Sequence, residues 1–131
     1  MRRADQLEKF RTSGKTMSPE RIIVLLYERL GRDLDQARAA IVDGDAEIRH
    51  NALLHAQEII AELSYAVRPD VWEAGEGLLA LYEYVLELLV KANINSDVVP
   101  IDQAAKVISQ LTAAWQEAYV EVSTATGSAA S

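Results

Sequence analysis

The 131-residue chain has no cysteine, which removes disulfides, thiolate zinc sites and cysteine nucleophiles, and makes a reducing cytosol the natural compartment. It has only two histidines, His50 and His55, too few for most metal or acid–base centres. Three prolines, six glycines and one phenylalanine leave few breakers and no glycine-rich phosphate loop. No apolar run reaches the roughly 18 residues a membrane span needs, and the basic start "MRRADQLEKF" lacks the apolar core of a secretion signal. A soluble protein without membrane insertion is expected. Basic residues are also scarce: 13 Lys and Arg face 20 Asp and Glu, a net charge of −7, which opposes binding to phosphate backbones and argues against nucleic-acid partners.

The charge is unevenly placed. Residues 1–17 carry Arg2, Arg3, Lys9, Arg11 and Lys15 against Asp5 and Glu8, a net of +3, so the remainder carries −10. This segment reads as a flexible basic arm on an acidic body.

Helical periodicity fills the rest. In "TMSPERII", Ser18 can cap a helix, Pro19 suits the first turn and Glu20 favours the positive end of the dipole. Apolar Ile23, Leu26, Leu30, Leu34, Ala37 and Ile41 then recur at steps of three and four until Gly44, predicting a helix over Pro19–Val42. Ile48, Ala52, Ala56, Ile59, Ile60, Leu63 and Val67 mark a second, over Ala46–Ala66, closed before Pro69. The third starts between Val71 and Gly77 and ends at "NINSD"; Asp97 then offers a cap to a fourth, with Pro100 in its first turn. Along that fourth helix Ile101, Ala104, Ile108, Leu111, Trp115, Ala118 and Val122 form a narrow seam. The expected fold is all-α: an antiparallel up-down-up-down four-helix bundle over 18–123, with a disordered tail at 124–131.

The third helix has more apolar surface than a bundle needs. At about 100° per residue, Leu88, Leu81, Val85, Leu78, Leu89, Tyr82, Leu86, Leu79 and Val90 cover an arc of roughly 200°, whereas half a circle or less suffices. With Leu78, Leu81, Val85 and Leu89 assigned to the core, Leu79, Tyr82, Leu86 and Val90 are left on one flank, and Leu88 with Tyr84 on the other. "RIIVLLY" repeats the excess, with Ile22 to Leu26 encircling the first helix. Asymmetric packing, a homodimer or a partner helix laid in the groove would each cover such a strip.

Three stretches resemble the flagellar export chaperones of the FliS family. "TMSPERIIVLLYERL" looks like that family's T-x-S-P-E-x-[LI]-x-x-x-L-Y signature, "ALLHAQEIIAELSYAV" resembles its second helix, and "LLALYEYVLELLVKANINSD" is similar to its L-x-A-L-Y-x-Y-x-x-x-x-L-x-x-A-N signature. With Trp115, the likeness covers Thr16 to about Tyr119. It implies a four-helix bundle that binds the disordered C-terminal segment of flagellin, blocks premature filament assembly and passes its client to the flagellar type III export gate, with no reaction catalysed and no cofactor. The arc and the motif together make Ile22, Leu25, Tyr27, Leu79, Tyr82, Leu86 and Val90 the expected partner-binding residues. The resemblance also implies a lid in the N-terminal arm, where this chain offers Leu7 and Phe10 in place of the family's usual tyrosine. A second departure is "LYERL" where the family commonly shows Tyr-Asp-Gly: Arg29 replaces the small residue and Gly31 follows two later.

Other chemistry finds little support. Glu47 and His50 form one Glu-x-x-His, but di-iron bundles need that motif from two helices plus further inward carboxylates, so no metal is expected. Glu58, Glu62, Glu83 and Glu87 fall on solvent-facing arcs and read as a solvated coat. The runner-up to a chaperone is a helical structural module that uses the same apolar flank for homodimerisation or a regulatory complex.

Overall fold

A computed structural model describes the backbone of residues 18–130 and the side chains of residues 18–117. The described residues form four helices and no strand: α1 (Pro19–Asp43), α2 (Ala46–Ala66), α3 (Gly75–Asn95) and α4 (Val98–Ala130). Helix α1 packs on α2 and α4, and α3 packs on the same two, which places α1 and α3 on one diagonal of a four-helix bundle. Cross-links between opposite ends of neighbouring helices show the antiparallel run. Arg38, late in α1, donates to Asp102, early in α4, and Arg49 at the start of α2 donates to Asn93 at the end of α3.

The helix limits follow from local chemistry. Ser18 is extended (φ −73°, ψ 158°) and accepts a hydrogen bond from the Arg21 amide at 3.2 Å, with Pro19 next. Gly44 ends α1 in the left-handed region (φ 75°), its amide and that of Asp45 returning to the Ile41 and Ala40 carbonyls. Asp45 at once caps α2 by accepting from the Ile48 amide at 3.0 Å. Two residues therefore terminate one helix and start the next. Gly75 opens α3 for a reason periodicity does not reveal: a Cβ there would lie 2.9 Å from the Pro69 Cα, so only glycine lets the turn pass so close. Ser96 takes the left-handed conformation (φ 49°) at the end of α3, and its hydroxyl accepts from Arg49. The Asp97 carboxylate caps α4 through the Val99 amide at 3.0 Å.

Leu30, Leu34, Leu53, Ile60, Val85, Leu89, Ile101 and Ile108 form the centre of the core, each at most 2% exposed. Complete burial of each contributes about 1.5–3 kcal/mol. Asp33 is the buried charged side chain among the described residues, and it is partnered: the His55 imidazole hydrogen-bonds it, and Arg29 lies 3.7 Å away one turn earlier. The pairing supplies the compensation that a buried carboxylate requires.

Several residues sit elsewhere than their spacing suggests. On α1 the buried line is Val24, Tyr27, Leu30, Leu34, Ala37 and Ala40, with Ile23, Leu26 and Ile41 half-buried beside it. Ile48 is 42% exposed, because the first turn of α2 lies at the bundle end. Leu81 is half-buried while Tyr82 and Leu88, on opposite edges of the arc, are core together with the expected Val85 and Leu89, so the buried stripe of α3 is wider than expected. Helix α4 continues to Ala130, through residues expected to be a disordered tail. No helix among the described residues is long and apolar enough to cross a membrane.

Candidate functional site

On α3, Leu79, Leu86 and Asn93 are seven residues apart, so they lie along nearly one line of the helix. Asn93 shows where that line faces: its side-chain oxygen accepts from Arg49 Nε at 3.1 Å and its amide nitrogen lies 3.1 Å from His50 Nδ1, both on α2. The Leu79–Leu86 flank is therefore the one beside α2. Both leucines are half-buried and rest on the core, while Val90, one turn before Asn93 and farther out, is 43% exposed. From α2, Leu54 and Ala61 follow His50 at helical spacing and are exposed. The result is a shallow apolar strip between α2 and α3. Leu54 was not among the expected residues; its signal was an apolar side chain on α2 outside the stripe marked by Ala52, Ala56, Ile59 and Ile60.

Tyr27 and Tyr82 do not belong to that surface. They are 0% and 2% exposed, and their hydroxyls hydrogen-bond each other across the diagonal between α1 and α3. An amphipathic ring assigned by spacing to a flank is drawn inward because its polar tip has a buried partner. Burial raises the pKa of both phenols, and for Tyr82 the bond to Tyr27 raises it further. The ordinary value is 10.0, so above about pH 10 the unfolded tyrosines lose protons that the folded ones keep, and stability falls as pH rises. Each phenol lowers stability by at most about 1.4 kcal/mol per pH unit, over the range in which its folded form keeps the proton. Melting temperatures followed from pH 9 to 11.5 should therefore drop less steeply in Tyr82→Phe than in the parent.

Ile22 and Leu25 are half-buried on the side of α1 turned away from Tyr27. Since Tyr27 points along the diagonal to α3, Ile22 and Leu25 face away from it. They and the α3 leucines form two separate surfaces, not one groove. At the bundle end between them, Trp72, Leu78, Trp115 and Ile23 line a cavity of about 220 Å³; Trp72 is 45% exposed at its edge. Leu7 and Phe10 lie outside the described residues. Both histidines are engaged between helices, His50 with Asn93 and His55 with Asp33.

Comparison with known proteins places the chain in a family. Residues 1–122 match the family described as flagellar protein FliS. The flagellar secretion chaperone FliS of Bacillus subtilis (strain 168) is 28% identical over 106 residues, covering 81% of this chain and 79% of that protein. The protein of the same name from Salmonella typhimurium is 28% identical over 103 residues, 76% of each chain, and that of Vibrio cholerae 26% identical over 101 residues, 76% of this chain and 74% of its own. The chain belongs to the FliS family of flagellar secretion chaperones.

Proposed function

We propose that this protein holds the disordered C-terminal segment of flagellin in the cytoplasm, keeps it from polymerising, and presents it to the flagellar type III export gate. The observation that carries the reading is the strip formed by Leu79, Leu86 and Val90 beside α2: a side of α3 whose apolar side chains are only partly covered by their own fold. Ile22 and Leu25 add a second apolar surface on α1. Unpolymerised flagellin termini are amphipathic and lack their partners, so their apolar faces self-associate unless another surface takes them. A strip of half-buried leucines on a preformed bundle offers that surface without an ordering cost on the chaperone's side.

The likeness to secretion chaperones supports this reading, and catalysis forms no part of it. The basic arm of residues 1–17 would lie over the acidic body when no client is bound, with Leu7 and Phe10 as its apolar contacts.

The decisive measurement is titration of the purified full chain with a fluorescently labelled flagellin C-terminal segment, together with light scattering of polymerising flagellin. Saturable one-to-one binding and suppressed scattering are expected. A tight homodimer in sedimentation that ignores the segment would instead assign the strip to self-association.

A further inference from the structure

The strip between α2 and α3 ends in a polar cluster whose donors are only partly spent. Arg49, half-buried at the start of α2, donates from Nε to the Asn93 side-chain oxygen at 3.1 Å and from Nη1 to the Ser96 hydroxyl. Both partners are neutral. The guanidinium groups of Arg29, Arg38 and Arg68 each face a carboxylate, whereas Arg49 forms no ion pair among the described residues. A half-buried charge ordinarily takes a counter-charge, so this one is set for an anion that the described bundle does not supply. Its Nη2 makes no hydrogen bond among the described residues.

The same bonds orient the neighbouring ring. Because the Asn93 oxygen accepts from Arg49, the Asn93 amide nitrogen is the atom turned toward His50 Nδ1, at 3.1 Å. An amide nitrogen only donates, so Nδ1 accepts and the neutral imidazole carries its proton on Nε2. His50 is exposed, and its Nε2–H is a second donor, tied to Arg49 through Asn93.

The other end of the strip has the reverse charge. Glu76 and Glu83 stand three residues before and four after Leu79, on its side of α3, and Arg68 is held there by two bonds to Asp70. Resting on the client reading above, we propose that Arg49 and His50 form a terminal-carboxylate pocket, which receives the α-carboxylate of the client chain's last residue. A C-terminal client segment ends in such a group, and a planar carboxylate matches a guanidinium edge with an N–H beside it. Capture at Asn93 gives the strip a direction. The residues before the terminus lie toward Val90, Leu86 and then Leu79, so a bound helix runs the same way as α3, with its positive end by Glu76 and Glu83.

The terminal charge can be removed without touching the protein. A flagellin C-terminal segment labelled at its N-terminus is made as the free acid and as the carboxamide, and each is titrated into the full chain. The free acid should bind about tenfold more tightly. Arg49→Gln should erase that ratio. Since this variant also loses bonds that tie α2 to α3, Asn93→Asp is measured beside it: the new carboxylate pairs with Arg49, keeps the helices linked, and should equalise the two segments at a melting temperature no lower than that of the parent. Equal affinities of acid and amide in the parent overturn the pocket and leave the client reading standing. A ratio that survives both variants also overturns it, by placing the carboxylate elsewhere. If neither segment binds the parent, the client reading falls and the pocket with it.

Discussion

Leu89→Asp is expected to yield no cooperatively folding protein. Leu89 is 0% exposed in the middle of α3, packed in the same cluster as Leu53, Ile60 and Tyr82. The substitution removes a buried leucine, at about 2–5 kcal/mol, and places a carboxylate where the neighbouring core residues are apolar, at a further cost of several kcal/mol. A domain of this size has about 5–15 kcal/mol of stability in total, so the sum of the two terms reaches or exceeds it. The adjacent Val90→Asp is the control. Val90 is 43% exposed, one step round the helix, and a charge there can stay hydrated, so the expected loss is about 1 kcal/mol or less. Thermal melts followed by circular dichroism distinguish the two outcomes directly. A folded Leu89→Asp beside an unfolded Val90→Asp would mean that α3 is rotated about 100° from the phase described.

The width of that buried stripe is where sequence and structure part company. Several helix ends were readable because they are encoded within a few residues: Ser18 before Pro19, Gly44 before Asp45, Pro69 after the second helix, Asp97 before the fourth. The second and fourth helices have narrow apolar stripes, and Ala52, Ala56, Ile60, Ile101, Ala104 and Ile108 are buried where their spacing places them. Helices α1 and α3 carry apolar residues around much of their circumference, so periodicity does not single out one buried face. There the decision falls to contacts distant in sequence. Tyr27 and Tyr82 become core because each supplies the other's hydrogen bond, and their separation of 55 residues leaves no local trace. Asp33 is buried because His55 and Arg29 converge on it, again a fact of assembly. Gly75 looked like a weak helix start and is instead the one residue that tolerates Pro69 at that distance. Of the expected surface, Leu79, Leu86 and Val90 share a flank of α3, Ile22 and Leu25 stand apart from it on α1, and the two tyrosines are interior.

Leu86→Asp is expected to separate binding from folding. Leu86 is half-buried: its inner side rests on the core and its outer side belongs to the strip facing α2. The structural cost is partial, about 1–2 kcal/mol, because the carboxylate can turn toward water along the exposed side of the leucine it replaces. The binding cost is larger in proportion. A client side chain seated on the strip would lose its apolar neighbour and meet a charge stripped of water, the situation in which single residues cost about 2 kcal/mol or more, or at least about 30-fold in affinity. Leu86→Ala should show the same order of effects at smaller size, which protects the comparison if the aspartate variant melts too low to assay. Leu53→Ala supplies the opposite case: it lies fully in the core, so it should lower the melting temperature more than Leu86→Ala while leaving affinity for the labelled flagellin segment nearly unchanged at temperatures where it is folded. Plotting loss of affinity against loss of stability for these variants puts Leu86 and Leu53 on different lines if the strip is a client surface. A single line through both would mean that Leu86 acts through the core alone, and the client would have to be sought on the α1 side of the bundle.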